Sequence, residues 1–144
     1  MKQLITNSPL ETQKLSQSLL KSLNTNIITF KGDLGAGKTT LIQSLGQKLG
    51  IGRMTSPTFT IIKEYLLTPS PHLPFTNLYH VDLYRLTSTE AVLDLGLKEL
   101  WSNPQDLLLI EWPELIENLL PQHLQVNIKN LGQDKRQITI TTKN

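Results

Sequence analysis

A glycine-rich stretch between an apolar strand pattern and a helix pattern is the feature that most constrains how this chain can fold. The segment GDLGAGKT, residues 32–39, matches G-x-x-x-x-G-K-[ST] at every fixed position. It follows the apolar run NIITF, typical of a strand buried on both faces, and precedes a pattern that predicts a helix from Lys38 to Leu49. This order predicts a loop whose backbone amides surround phosphate groups.

The residue types of this segment suit the phosphates of a nucleotide. Glycines let backbone N–H groups approach phosphate oxygens, and a helix N-terminus adds partial positive charge. Lys38 supplies a mobile positive charge for the β- and γ-phosphates, and the hydroxyl of Thr39 is placed to bind Mg²⁺. A turn that only caps a helix is the simpler alternative, but the full match in its structural context favours phosphate binding.

The remainder of the chain alternates strand and helix patterns. A capping box at Ser8 and leucines at every fourth residue predict an N-terminal helix, and a second box from Thr87 to Glu90 predicts a short one. Strands are predicted at residues 26–30, about 59–66, 77–82 and 106–112, and a closing β-hairpin at HLQVNIK and RQITITT. We therefore predict an α/β fold with a mixed, largely parallel sheet flanked by helices and a C-terminal β-hairpin.

Composition narrows the class of protein. The 144 residues show no composition break, which predicts one domain over residues 1–144, and 38% apolar residues exclude a disordered chain. The absence of cysteine excludes disulfides and thiolate metal sites. No apolar run is long enough to span a bilayer, so we expect a cytoplasmic protein without a membrane partner. The net charge of +2 comes from scattered lysines, so we expect any nucleic-acid contact to be indirect.

Two acidic residues at predicted strand ends are candidates to complete a nucleotide site. Glu111 follows four apolar residues, and Asp82 ends the strand pattern NLYHVD. Because the carboxyl ends of strands in such sheets face the phosphates, one acid can hold Mg²⁺ while the other orients the attacking water. A plain strand-end or helix-capping role is the alternative for each.

Further polar and aromatic residues are less decisive. Ser56 and Thr58 lie in the loop before the next predicted strand, where nucleotide-sensing switches are found, although Ser-Pro also begins ordinary turns. Trp112 belongs either to the core or beside the nucleotide. His72, His80 and His123 lack metal-ligand spacing and are predicted to be packed or solvated.

Three classes of nucleotide-binding protein contain a phosphate loop of this kind. A guanine-specific switch protein needs Asn-Lys-x-Asp and Asp-x-x-Gly, and neither pattern occurs. A small-molecule kinase shares the phosphate loop, but its lid contributes several arginines, whereas this chain has only Arg53, Arg85 and Arg136. A module whose nucleotide hydrolysis resets a complex fits the small size and the possible switch loop best.

Four motifs in this order, GDLGAGKTT, SPTFTIIKEY, HVDLYRL and LIEWPE, closely resemble those of the bacterial TsaE (YjeE) ATPases, over roughly residues 8–140. The resemblance implies a P-loop NTPase-like fold and an ATPase required for threonylcarbamoyladenosine (t6A) modification of tRNA. It also implies ATP and Mg²⁺ as cofactors and the TsaB–TsaD complex, which carries the transferase chemistry, as partner. Hydrolysis in that family is weak alone and stimulated by those partners. Because this chain has little basic patterning, we expect any tRNA contact to be mainly through partners.

The same resemblance implies roles for individual residues. The phosphates would be contacted by Leu34, Gly35, Ala36, Gly37, Lys38 and Thr39, with Thr40 beside them. Thr39 and Glu111 would hold Mg²⁺, and Asp82, close to the metal, would be the acid needed for hydrolysis. Ser56 and Thr58 would form the first switch and Trp112 would lie beside the nucleotide, while Glu11 and Arg136 would flank the adenine. The proline-rich segment Thr68–Pro74 is predicted to be an exposed loop inserted into the family pattern.

Overall fold

One mixed sheet of seven strands organises the structure, which is a computed structural model that describes residues 1–68, 70–71 and 73–144. The strands are β1 (Lys2–Thr6), β2 (Ile27–Lys31), β3 (Ile62–Leu66), β4 (Asn77–Asp82), β5 (Asp106–Glu111), β6 (His123–Asn130) and β7 (Arg136–Lys143). The helices are α1 (Pro9–Lys21), α2 (Lys38–Lys48), α3 (Thr89–Leu93) and α4 (Leu97–Ser102), with 3₁₀ helices at Pro113–Leu115 and Glu117–Leu119.

The order of the strands places the predicted site at the carboxyl ends of the parallel central strands. The order is β1-β7-β6-β2-β5-β4-β3, in which β6, β2, β5 and β4 run parallel to one another, while the pairs β6–β7, β7–β1 and β4–β3 at the flanks are antiparallel. Because parallel strands end at a common edge, Asp82 and Glu111 lie opposite each other in register. The predicted α/β fold, with its mixed sheet and the β6–β7 hairpin, is confirmed.

Alternate residues of the central strands enter two apolar cores, because successive side chains of a strand point to opposite faces. Ile28 and Leu109 pack in the core that also contains Leu19 of α1 and Leu41 and Leu45 of α2. The residues next to them in sequence, such as Leu108, pack against the side chains of α3 and α4. Helices therefore cover both faces of the sheet, which explains why β2 and β5 are apolar without alternation.

Several local boundaries differ from the sequence prediction. Strand β3 begins at Ile62, not about Phe59, because Ile61 adopts φ +66° and its N–H donates to the carbonyl of Pro57 at 2.5 Å, which closes a turn. Helix α3 is capped by Ser88, whose Oγ accepts the Ala91 N–H at 3.1 Å, and the predicted cap at Thr87 was wrong. The edge strand β1 and the short helix α4 were not predicted.

The proline-rich segment is only partly described. Pro69 and His72 lie outside the described residues, so the prediction made for His72 stays a prediction. Thr68, Ser70, Pro71 and Pro74 are exposed, as expected for a surface loop. In the described part of the chain no helix combines the length and the apolar character that a bilayer crossing requires.

Candidate functional site

The glycine-rich loop, residues 32–37, leads from β2 into the N-terminus of α2. Gly37 is the cap of that helix and has φ +108°, a left-handed conformation that favours glycine. Gly32 has φ +140°, and a Cβ added there would lie 2.2 Å from the carbonyl oxygen of Ile128 in β6. Because Gly37 has no side chain to cap the first amides of α2, those N–H groups are left for an anionic ligand.

A cavity of about 300 Å³ lies against this loop. Its lining comes from the loop, α2, the segment before β3 and the carboxyl ends of β4 and β5, and comprises Leu34, Gly35, Gly37, Lys38, Thr39, Thr40, Thr58, Asp82, Tyr84, Glu111 and Trp112. The structure thus brings together most of the residues named from the sequence.

Lys38 is buried, with 5% of its surface exposed, and is folded back onto its own loop. Its Nζ donates to the carbonyl oxygens of Gly32 at 2.5 Å and Asp33 at 2.9 Å, and lies 4.0 Å from the ring centroid of Trp112. Burial lowers the pKa of the Lys38 ammonium below its ordinary value, while the carboxylate of Glu111 and then others oppose that shift. A phosphate group would give this cation a stronger partner than two carbonyls.

Glu111 is the last residue of β5 and is almost fully buried. The hydroxyl of Thr39 donates to its two carboxylate oxygens, at 3.0 Å to Oε1 and 3.1 Å to Oε2. The Nε2 of His80 lies 2.8 Å from Oε1. His80 is packed, as one of the two sequence alternatives had it, but its contact with the predicted metal-binding carboxylate was not foreseen.

Asp82 ends β4 beside Glu111 and is also buried. Its Oδ2 accepts the hydroxyl of Thr58 at 2.9 Å, and its Oδ1 accepts the backbone N–H of Tyr84 at 3.0 Å. The hydroxyls of Thr58 and Ser56 are 2.6 Å apart. The segment predicted to be the first switch therefore contacts Asp82 through the hydroxyl of Thr58.

Tyr84 is a residue that sequence reasoning missed. Besides its backbone bond to Asp82, its ring lies 4.9 Å from that of Trp112, and it lines the cavity. Its contact with Asp82 could have been predicted from the sequence, since an aspartate in a turn often accepts the N–H of the residue two positions further along the chain. Trp112, left open between core and nucleotide, is partly buried and lines the cavity.

A second, smaller cavity of about 140 Å³ adjoins the first at Gly35, Gly37 and Thr40. The other residues that line it are Pro9, Thr12, Ala36, Asp134 and Arg136. Arg136 Nε donates to the carbonyl of Ala36 at 2.9 Å, so β7 braces the glycine-rich loop. Glu11 does not line this cavity, and its carboxylate instead accepts the N–H of Asn7 at 2.8 Å at the start of α1.

The donor set at the sheet edge fits Mg²⁺. Thr39 supplies a hydroxyl oxygen, and Asp82 and Glu111 supply carboxylate oxygens, which are the hard ligands that Mg²⁺ prefers. Within the described residues no group of three or more His, Cys, Asp or Glu is arranged to hold a metal. A Mg²⁺ ion held by one or two carboxylates normally takes its remaining ligands from phosphates and water.

Comparisons with known proteins agree with one another. The family model described as threonylcarbamoyl adenosine biosynthesis protein TsaE matches residues 6–138. A tRNA threonylcarbamoyladenosine biosynthesis protein TsaE from Bacillus subtilis is 48% identical over 118 residues, covering 81% of this chain and 69% of its own length. A protein of the same name from Rickettsia bellii is 42% identical, with 98% and 95% covered. The crystal structure of Bacillus subtilis YdiB superposes with a TM-score of 0.74 at 37% identity, covering 99% of this chain and 87% of YdiB.

Proposed function

The chain belongs to the TsaE family of threonylcarbamoyl adenosine biosynthesis proteins, and from this premise we propose that it acts in tRNA modification as a Mg²⁺-dependent ATPase. One observation carries the proposal. The glycine-rich loop, the ammonium of Lys38, the hydroxyl of Thr39 and the carboxylates of Asp82 and Glu111 all line the same cavity. That set combines anion-binding amides, a counter-charge and metal-binding oxygens.

The loop and Lys38 would bind the triphosphate. The free amides at the start of α2, together with those of Leu34, Gly35 and Gly37, offer hydrogen-bond donors to phosphate oxygens. Lys38 would exchange its bonds to the carbonyls of Gly32 and Asp33 for charge-assisted bonds to the β- and γ-phosphates. Trp112, which already lies over the Nζ of Lys38, would pack beside the nucleotide.

Thr39 and Glu111 would hold Mg²⁺, with Asp82 close to it. Bound there, the ion would supply positive charge that neutralises the charge developing on the phosphates during hydrolysis. Asp82 would orient the attacking water and accept its proton, because its carboxylate is fixed by the Tyr84 amide and faces the same cavity. Thr58 donates to Asp82, so the position of the switch segment and that of the base are linked.

The smaller cavity is the place proposed for the adenine. It continues from the phosphate loop and is lined by Arg136 and Thr12. Glu11 lies at the start of α1, close in sequence to the lining residue Pro9, and would approach the base from that side.

We propose that the chain works in the cytoplasm with the TsaB–TsaD complex, which would stimulate a weak intrinsic hydrolysis, and that it meets tRNA only through those partners. Phe59 in the switch segment is 84% exposed, and Leu34 in the phosphate loop is 68% exposed. Exposed apolar side chains beside a nucleotide site suit a protein partner better than RNA, which is bound mainly through basic residues.

Calorimetric titration with ATP in the presence of Mg²⁺ tests the proposal. We expect saturable heat for the protein and a loss of turnover of about 10²- to 10³-fold for Lys38→Ala, because the phosphates lose their mobile counter-charge. Absence of ATP-binding heat in well-folded protein, or unchanged hydrolysis by Lys38→Ala, would contradict the site assignment.

Two further assays separate this activity from the alternatives. With γ-labelled ATP and a metabolite extract, the label should appear in inorganic phosphate, whereas label in a small organic acceptor would indicate a kinase. Addition of purified TsaB–TsaD should raise the rate of phosphate release. A rate unaffected by that complex would remove the proposed partnership but not the ATPase site.

A further inference from the structure

His80 contacts the site from a position that no nucleotide can reach. It is fully buried in β4, on the same strand face as Asp82, two residues away. Its neighbour in register on β5 is Leu109, so Glu111 is its diagonal neighbour on that strand. The imidazole therefore lies beneath the carboxylate of Glu111, on the side away from the cavity lining, and does not line the cavity itself.

The hydrogen-bond partners of the imidazole determine which of its nitrogens carries the proton. Nε2 lies 2.8 Å from Oε1 of Glu111, a carboxylate that can only accept. Nδ1 is buried and has no hydrogen-bond partner within the described residues. A proton on Nδ1 would leave a buried N–H unsatisfied, which costs more than leaving a lone pair unused, so the proton belongs on Nε2.

The carboxylate of Glu111 is buried, and the Nε2–H of His80 is the donor that orients it. The hydroxyl of Thr39 bonds both carboxylate oxygens, so it alone does not distinguish between them. His80 binds only Oε1, from a rigid strand, and thereby fixes the rotation of the carboxylate about its last bond. Partners behind a metal ligand commonly orient it and raise the affinity for the metal.

We propose that His80, as its Nε2–H tautomer, is a positioning residue that orients Glu111 for Mg²⁺; this inference rests on the proposed function. His80 acts through Glu111 and touches neither nucleotide nor metal. Its loss therefore weakens Mg²⁺ binding at the site and leaves metal-free nucleotide binding unchanged.

Two amide substitutions make a matched test. The side chain of His80→Gln is long enough to place an amide nitrogen near the position of Nε2, whereas that of His80→Asn reaches only the position of Nδ1. Both place a polar amide in the core, but Asn is one methylene shorter and leaves the larger void, so His80→Asn should lower the stability more. The Mg²⁺ concentration that gives half-maximal ATP turnover should rise about 10- to 100-fold in His80→Asn and stay near the wild-type value in His80→Gln.

The result is interpreted on protein whose thermal unfolding shows that it is folded, and with nucleotide affinity measured in EDTA as the reference. Equal Mg²⁺ requirements in the two variants would overturn the proposal, since a purely structural histidine makes no distinction between them.

A second measurement needs no ligand and keeps the inference testable apart from the ATPase activity. Imidazole ¹⁵N spectra of the metal-free protein, assigned by the signals lost in His80→Asn, should show a protonated Nε2 and an unprotonated Nδ1. A protonated Nδ1 would overturn the inference even if ATP binds as proposed. If the spectra show the expected tautomer but the protein binds no ATP, the hydrogen bond stands and the role in metal binding falls with the proposed function.

Discussion

Strand β5 has a buried carboxylate at each end, and the two are held in different ways. Asp106, the first residue, is 4% exposed and accepts side-chain amide N–H groups of Asn77 at 2.8 Å and Asn103 at 3.0 Å. Glu111, the last residue, is 2% exposed and is bound by a hydroxyl and an imidazole. Burial alone therefore does not distinguish a structural acid from a candidate site residue.

The two ends of β5 differ in the side chains that donate to the buried carboxylate. At the amino end, amide side chains tie neighbouring segments together, and the two N–H groups of Asn26 Nδ2 are shared among the carbonyls of Trp101, Asn103 and Asp106. At the carboxyl end, the donor Thr39 and the acid Glu111 both line a cavity with a lysine in it. In the first arrangement both carboxylate oxygens accept amide N–H groups, whereas the second leaves the carboxylate beside space in which a cation and phosphates fit.

The largest effect is expected for Asp82→Asn, the neighbour of Glu111 at the carboxyl end. Loss of the proposed general base should slow ATP turnover about 10²- to 10⁴-fold. ATP affinity should change far less, because the amide oxygen of asparagine can still accept the Tyr84 N–H. Phosphate release and calorimetry on the same sample measure the two quantities, and equal losses in both would contradict a role in the chemical step.

Glu111→Gln should act on the metal. We expect the Mg²⁺-dependent part of ATP affinity to fall by at least about tenfold, as the removal of groups that support a metal site does, with binding in EDTA unchanged. The measurement is a Mg²⁺ titration at fixed ATP. If the affinity in EDTA fell equally, Glu111 would be supporting the loop and not holding an ion.

Asp106→Asn is the matched change at the other end of the same strand. An amide there places its own N–H against the N–H donors of Asn77 or Asn103, so the free energy of unfolding should fall by about 1–3 kcal/mol. Urea unfolding measures this loss. The Mg²⁺ requirement and the turnover of the folded fraction should match the parent protein, and a changed Mg²⁺ requirement would break the distinction between the two ends.

The sequence predicted the carboxyl end well and the amino end poorly, for a physical reason. The phosphate loop and the acids at 82 and 111 are local patterns: a glycine turn, or an acid that ends an apolar run. Bonds such as His80–Glu111 depend on the pairing register of two strands, which the sequence does not specify directly. The same is true of Asn26, whose partners lie 75 to 80 residues away.

Residues with two possible uses were also hard to assign. Glu11 was predicted to flank the adenine, yet its carboxylate accepts the N–H of Asn7, one residue before the Ser8 N-cap of α1. Strand β3 starts late because Ile61 adopts the left-handed conformation. That conformation is rare for a β-branched residue, so the sequence does not predict it. Strand β1 was missed because it lies at an edge and is mostly exposed, so it lacks an apolar pattern.

The smallest effect is expected for Glu117, an acid bound by a partly exposed lysine and so unlike either end of β5. Lys31 Nζ lies 2.7 Å from Glu117 Oε2, and this hydrogen bond is the main reason why the pKa of Glu117 is lowered from 4.5. Because the pKa is lower in the folded state, the stabilisation is present above pH 4.5 and is lost as the pH falls through the folded-state pKa.

Glu117→Gln should therefore lower the free energy of unfolding by less than about 1 kcal/mol at pH 7, since both side chains remain partly in solvent. The difference from the parent should shrink in acid, because protonation removes from the parent the charge that the variant lacks. Urea midpoints at pH 7 and pH 4 measure it. A difference that stays the same in acid would show that the hydrogen bond from Gln125, which donates to the other carboxylate oxygen at 2.6 Å, and not the ion pair with Lys31, accounts for the stabilisation.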